Sequence, residues 1–282
     1  MRARSHMARR NIDLTVRILS GAAAMVGVVA LGWILFVIAK RGLSAINLDF
    51  FTHLPTPPGM PGGGLANAIF GTVAMTFLAS VMGITAGLLA GVFLAEFGQK
   101  SRFSSSVRLG ANVLMGTPSI IVGVFVYALM VISAGHFSGY AGAVALAIIM
   151  FHVVTRTTED MLSLVPNSLR ESALALGAPR WKVTLSVVFR AARAGLLTGV
   201  LLAVARVSGE TAPLLFTALN SPYWPKTLNA PTANLTVTIF NYAMSPYRDW
   251  QQMAWGASFL ITIGVLALTL LARFTLKEKR RA

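Results

Sequence analysis

The 282-residue chain contains no cysteine, which excludes disulfides, thiolate metal ligands and a cysteine nucleophile. Acidic residues are scarce, with nine Asp and Glu against 24 Lys and Arg. Charged residues of both signs make up only 12% of the chain, where a soluble domain carries about 25%. The four histidines, His6, His53, His136 and His152, are scattered and form no metal-ligand spacing. A Gly-x-x-x-x-Gly-Lys-Ser/Thr phosphate loop is also missing, so the chain cannot hydrolyse ATP alone. What the chain has is apolar sequence: 55% hydrophobic residues and a mean hydropathy of +0.70. It reads as an all-α integral membrane protein.

A net charge of +15 and a pI near 11.4 would point to nucleic acid in a soluble chain. Here the basic residues lie between apolar runs and not along one amphipathic face, so no nucleic-acid partner is expected. Six runs are long enough to cross a bilayer, which needs about 20 apolar residues or somewhat fewer where a helix continues into the interface. They fall at about residues 16–39, 69–97, 109–133, 141–158, 187–218 and 253–276. The first follows a basic segment, residues 1–15, in which Ser5-His6-Met7 reads as a cloning scar; no cleavage pattern follows the run, so it is expected to be a retained span. Nineteen basic residues lie on the side of the two termini. Only Lys40, Arg41, Lys226 and Arg248 lie on the other side, and Arg206 is intramembrane. By the positive-inside rule both termini and the loop 159–186 are cytoplasmic, and the loop 219–252 is periplasmic.

Polar residues inside the spans are the candidate path for a solute. Thr72 and Thr76 lie four apart on one helical face, where threonines either bond back to their own helix or line a polar path. Gly116-Thr117-Pro118-Ser119 interrupts the third span. Proline frees backbone groups that only protein or a water-lined cavity can satisfy, which points Thr117 and Ser119 inward; a simple kink accounts for the same motif. In the fifth span Arg206 and Glu210 are spaced to meet on one helix face. A charge at the centre of a membrane helix costs about 2.5–3.5 kcal/mol on insertion scales, so the pair needs a reason. Either the two neutralise each other as a structural pair, or Arg206 offers its planar fork of donors to an anion that Glu210 holds or releases. Gly209 and Pro213 loosen the helix beside them, and Thr211 lies at the same depth.

The loop before the fifth span has its own pattern. Helical composition from Glu159 to Leu176 ends at Gly177-Ala178-Pro179, where glycine accepts a left-handed C-terminal position and proline starts the next helix. Glu171-Ser172-Ala173-Leu174-Ala175-Leu176-Gly177 resembles the EAA loop of ABC-importer permeases. Phe189-Arg190 stands where many members of that family have Leu-Pro. The resemblance implies a type I ABC importer permease fold, six spans with a cytoplasmic coupling helix that docks on an ATPase. Glu171, Ala173, Leu174 and Gly177 are the expected coupling residues, with Ala173 small enough for close approach to the partner.

Residues 205–218, ARVSGETAPLLFTA, together with Pro231-x-Ala233-Asn234-Leu235, Ala243-Met244-Ser245-Pro246 and Trp250-Gln251-Gln252-Met253-Ala254-Trp255, are similar to the PstA-type permeases of phosphate importers. That resemblance implies inorganic phosphate as solute and a bacterial inner membrane location. It implies as partners two ATPase copies, a second permease of the PstC type and a periplasmic or extracellular phosphate-binding protein. It implies no cofactor beyond the ATP that the partner uses. A permease for sulfate or molybdate shares the EAA loop, and a secondary transporter would use Glu210 as a proton relay. A membrane enzyme lacks a nucleophile and base pair.

Overall fold

The computed structural model describes residues 6–60, 62–98 and 101–277. Arg2, Arg4, Pro61, Lys100 and the tail beyond Lys277, all used in the charge and loop readings, lie outside them. Among the described residues every regular element is helical. Helix α1 (His6–Gly42) is followed by the short α2 (Leu48–Thr52) and by α3 (Ala66–Phe97). Helices α4 (Arg102–Gly116) and α5 (Ser119–Ala134) precede α6 (Gly139–Ser163), the surface helix α7 (Asn167–Ala175) and α8 (Arg180–Val207). Helices α9 (Ala212–Thr217), α10 (Leu235–Ala243) and α11 (Arg248–Lys277) complete the chain. Five helices are long and apolar enough to cross a membrane, and α4 with α5 makes a sixth span if a bent pair counts as one.

The centre of the bundle is the contact of α3 with α6. Along α3 the buried positions recur every four residues: Gly71, Met75, Ala79, Gly83, Gly87 and Gly91. At 3.6 residues per turn such a row drifts by only about 40° per step, so it forms one shallow ridge. Three of its glycines set the approach. A Cβ on Gly83 would lie 2.9 Å from the Ala147 carbonyl oxygen, one on Gly87 2.7 Å from Val154 and one on Gly91 2.5 Å from Thr158. The partners advance along α6 in step with α3, so the two helices run parallel. Lipid offers no hydrophobic drive for helices to associate, and backbone proximity through small residues supplies the dispersion contact that does. Met75, Ala79, Leu146, Met150 and Val154 form the core there with Ala203, Val207 and Leu214 from later helices.

Helix α1 stands apart. From Ile12 to Ile34 its large apolar side chains are exposed, and Gly21, Gly27 and Gly32 face open space. It meets the rest of the chain at its end, where Gly42 abuts Phe259 and the Arg41 guanidinium sits 5.0 Å from the Trp255 ring.

Three expectations from the sequence are corrected. The third span is not one helix with a kink: α4 and α5 meet at 107°, because Pro118 withholds an N–H and disfavours helical geometry at Thr117, which is extended at ψ 129°. The fifth span is not continuous over 187–218 but ends at Val207 and resumes at Ala212. Residues 219–252 are not a plain loop, since they contain α10, whose Leu235 and Tyr242 are buried against α3 and α11. Tyr242 stacks on Trp250 at 4.3 Å and 13° inside that cluster.

Gly87→Ile drives a branched side chain into Val154 and the Phe151 carbonyl and should remove about 1–3 kcal/mol or more of stability. Gly110→Ala, with nothing within 4 Å of the new atom in the interior of α4, should cost nothing and add up to about 1 kcal/mol, alanine being the better helix former. Thermal unfolding of the two variants in detergent checks the contrast.

Candidate functional site

The break in the fifth span decides the geometry of the intramembrane charges. Pro213 has no N–H to give the Gly209 carbonyl, so the helix that starts at Arg180 cannot continue past this point. Arg206 lies on the last turn of α8, while Glu210 and Thr211 lie in the interruption. The i,i+4 meeting expected of Arg206 and Glu210 needs a continuous helix and does not form. Among the described residues Arg206 enters no ion pair, and its side chain is exposed on the surface of the chain.

The interruption is held by protein. The Thr236 hydroxyl lies 2.8 Å from the Glu210 carbonyl oxygen and 2.9 Å from Asn234 Oδ1, two acceptors that share its one proton, and Asn234 caps α10 by accepting from the Val237 N–H at 2.8 Å. Gly123 of α5 lies against Pro213, where an added Cβ would sit 2.5 Å from the Pro213 Cα. The two broken spans thus meet next to their breaks. His152 on α6 is the residue that sequence reasoning missed. It is 4% exposed, and neither ring nitrogen has a hydrogen-bond partner of good geometry. Its signal in the sequence was a lone polar ring inside an apolar run, which composition does not separate from a packed histidine.

The remaining path candidates do not gather around Arg206. The Thr72 hydroxyl donates to the Ala68 carbonyl at 2.8 Å and accepts from the Leu235 N–H at 2.8 Å, so it props the start of α10. Thr72 and Thr76 line an apolar groove of about 430 Å³ between α3, α8 and α11, with Ser80 and Ser208. The hydroxyls of Ser80 and Ser208 bond back to Thr76 and Val204. Arg206 is not in that groove. Thr117 likewise donates to the Val113 carbonyl at 2.7 Å, and Ser119 opens α5, half-buried. The structure therefore leaves Arg206, Glu210 and Thr211 at the break of the fifth span and gives the Thr72 and Thr117 hydroxyls backbone partners.

On the side of the 159–186 loop, α7 and the start of α8 form the expected helix, tight turn and helix. Gly177 has φ 82°, its N–H donates to Leu174, and the Ala178 N–H donates to Ala173. That pair of bonds is the left-handed helix stop read from the sequence. Glu171, Leu174 and Gly177 are exposed, as is Leu176 at 88%. Ala173 is a correction: it faces its own bundle, against the cluster of Leu162, Val165, Val183 and Val188. Its small side chain lets α7 approach the rest of the chain and leaves the outer face to Leu174 and Leu176.

Arg170, next to Glu171, ties α7 down. Its Nη2 donates to Glu96 Oε1 at 2.7 Å and to the Leu162 carbonyl at 2.7 Å, and its Nη1 bonds the Val165 carbonyl. The two side chains are 15% and 9% exposed. Glu96 sits in a π-helical turn, Phe93–Phe97, that ends α3. In the same turn the Leu94 carbonyl accepts from Arg108 Nη2 at 3.1 Å, while Arg108 Nε donates to Glu159 at 2.6 Å. One guanidinium from α7 and one from α4 therefore grip the end of α3, and each also holds α6 or the turn just after it.

Comparison with known proteins agrees with this architecture. The family described as "Binding-protein-dependent transport system inner membrane component" matches residues 83–277. The "Phosphate transport system permease protein PstA" of Yersinia pestis is 46% identical over 272 residues, covering 96% of this chain and 92% of the relative. The protein of the same description from Xylella fastidiosa strain 9a5c is 48% identical over 273 residues, covering 96% and 95%. The "Probable phosphate transport system permease protein PstA" of Methanocaldococcus jannaschii is 36% identical over 263 residues, covering 92% and 91%. Among solved structures, the inward-facing MetNI methionine ABC transporter matches with a TM-score of 0.64 at 21% identity, over 75% of this chain and 94% of that one. A bacterial alginate ABC transporter matches with 0.61 at 15%, over 96% of both chains.

Removing one partner of a buried ion pair typically costs about 3–5 kcal/mol, because the other charge stays behind without water. Arg170→Gln should therefore loosen α7 from Glu96 and from the end of α6. Hydrogen exchange should show faster exchange over residues 167–175 than in the parent chain, with the α3–α6 contact unchanged.

Proposed function

The chain belongs to the family of binding-protein-dependent transport system inner membrane components, within its PstA branch, and from that membership we propose that it moves inorganic phosphate across the cytoplasmic membrane as a permease subunit of an ATP-driven importer. The observation that carries the solute is the identity of 46–48% to PstA phosphate permeases over nearly the whole chain. The protein is a membrane component and not an ATPase, in keeping with the missing phosphate loop.

Its proposed partners are a pair of ATPase subunits, a second permease of the PstC type and an extracytoplasmic phosphate-binding protein. Both termini and α7 face the cytoplasm in this reading, supported by the bias of basic residues toward that side. No cofactor is proposed for this chain, ATP being consumed by the partner.

The chemistry follows from the geometry. Closure of the ATPases pushes on α7, where Glu171 offers a carboxylate and Leu174 and Leu176 an exposed apolar face. Arg170 transfers the displacement to α3 and α6 through Glu96 and the Leu162 and Val165 carbonyls. The tight turn at Gly177 passes it to α8, whose far end carries Arg206. The break at residues 208–211 lets that end move without dragging α9, which stays against α5. Arg206, exposed and without a carboxylate partner among the described residues, meets the phosphate as it passes. The contact has to be weak, since tight binding would prevent release.

Arg206→Gln should abolish phosphate uptake into proteoliposomes holding the complete complex, while the ATPase subunits still co-purify. Normal uptake would remove Arg206 from the path. Glu171→Arg should have the opposite profile, losing the ATPase on purification. Phosphate uptake by the unaltered chain without any ATPase would sink the importer reading.

A further inference from the structure

The apolar groove between α3, α8 and α11 has no part in the transport mechanism above. Val204 and Ser208 form its α8 wall, and Leu260, Gly264 and Leu268 belong to its α11 wall. Arg206 stands two residues from both Val204 and Ser208, about 160° round the helix from each. The groove therefore occupies the face of α8 opposite the one that carries the cation. In the importer reading Arg206 faces the solute, and the opposite face is turned to lipid. Ile69, Leu235, Leu260 and Ile261 pack together at the α10 end of the groove. Its free end runs toward the start of α8, the cytoplasmic side in the same reading.

Two observations define an occupant. No charged side chain lines the groove, and the hydroxyls of Thr72, Ser80 and Ser208 already donate to carbonyls one turn back, so the lining favours an apolar guest. Toward the start of α8 the same face changes character. Leu201 and Leu197 continue it, and Arg193 and Arg190 end it. Arg193 is eleven residues, close to three turns, before Val204, and Arg190 is eighteen residues, five turns, before Ser208. Both arginines are exposed, and among the described residues neither enters an ion pair. Arg193 and Val204 are about 16.5 Å apart along the helix, and one leaflet's share of the hydrocarbon core is about 15 Å. The two cations thus lie one lipid-tail length from the groove.

We propose that this face binds one anionic phospholipid of the cytoplasmic leaflet, with an acyl chain in the groove and its phosphate between Arg190 and Arg193. The choice of leaflet rests on the importer reading; the pairing of groove and cations does not. A guanidinium presents a planar fork of donors that suits phosphate oxygens, and basic residues near a membrane surface attract anionic lipid. A free phosphate ion meets the arginines without using the groove, and a helix of the second permease fills the groove without an anion for the arginines. An amphiphile of one tail length answers both. Gly264 marks the room for it, since nothing lies within 4 Å of a Cβ built there.

The test uses the complete complex, stripped of lipid in detergent and titrated with phosphatidylglycerol or phosphatidylcholine that carries a photoactivatable group near the end of one acyl chain. Phosphatidylglycerol should label residues 201–208 and 260–268, with a half-maximal concentration at least about fivefold below that of phosphatidylcholine. Arg190→Gln and Arg193→Gln should each raise that concentration about fivefold, the equivalent of about 1 kcal/mol per basic residue near the surface. Gly264→Leu fills the groove and should abolish the labelling, while thermal unfolding of all three variants stays unchanged or shifts upward. Equal labelling by the two lipids, or arginine variants that bind phosphatidylglycerol as the parent does, overturns the head-group site. Adducts absent from both stretches, or undiminished in Gly264→Leu, overturn the groove as the place of the tail. ATP-driven phosphate uptake by the same complex in liposomes is measured in parallel: its absence overturns the importer reading, and the choice of leaflet with it.

Discussion

Inside a bilayer a freed backbone carbonyl cannot turn to water, and this protein is arranged around satisfying a few such groups where its spans are broken. The clearest instance is the Thr236 hydroxyl on the Glu210 carbonyl. It joins the interruption of the fifth span to the first turn of α10, so a segment outside the long helices serves a gap in one of them. Thr72, bonding to the Leu235 N–H, holds the same turn from α3. The irregular backbone around Arg206 is thus fixed from outside itself, which lets a cation sit at the end of a rigid rod and yet be exposed.

The opposite end of the bundle relies on carbonyls in a different way. A π-helical turn widens the hydrogen-bond spacing, and π-bulges occur often at functional sites. In α3 the turn presents the Leu94 carbonyl to Arg108 and the Glu96 carboxylate to Arg170. Arg170 also takes two carbonyls at the end of α6, where the helix macrodipole is negative and a cation is favoured. Charge, helix ends and local backbone geometry agree at one spot, and the result is a firm attachment of the surface helix that an ATPase would push.

Much of the fold was legible because apolar runs and turn residues each have a direct physical signature. Gly177-Ala178-Pro179 gave away its helix stop through conformational preference alone, and five of the six apolar runs fall on helices long and apolar enough to span, the other on the bent pair α4 and α5. What stayed hidden depended on contacts distant in sequence. The spacing of Arg206 and Glu210 satisfied a helical rule, but whether the helix is continuous was decided by Pro213 against Gly123 and by Thr236, 26 residues further on. Ala173 was small for a reason read correctly, yet the close neighbour is its own bundle. Thr72 and Thr117 show why hydroxyls in membrane helices are poor pointers to a path, since a carbonyl one turn back is always within reach. His152 had only an ambiguous local signal, a polar ring in an apolar run, because its interest lies in what burial fails to provide for it.

The glycine row of α3 has one more implication. Notches of backbone at Gly83, Gly87 and Gly91 interlock with Ala147, Val154 and Thr158 like teeth in a rack, and a rack resists small slippage: the next matching register is a full helical turn, about 5.4 Å, away. The α3–α6 pair therefore behaves as the fixed frame of the molecule during a transport cycle. Displacements of an ångström or two are left to the joints outside it, at residues 116–119 and 208–211, so the direction of movement is set by where the frame lacks teeth.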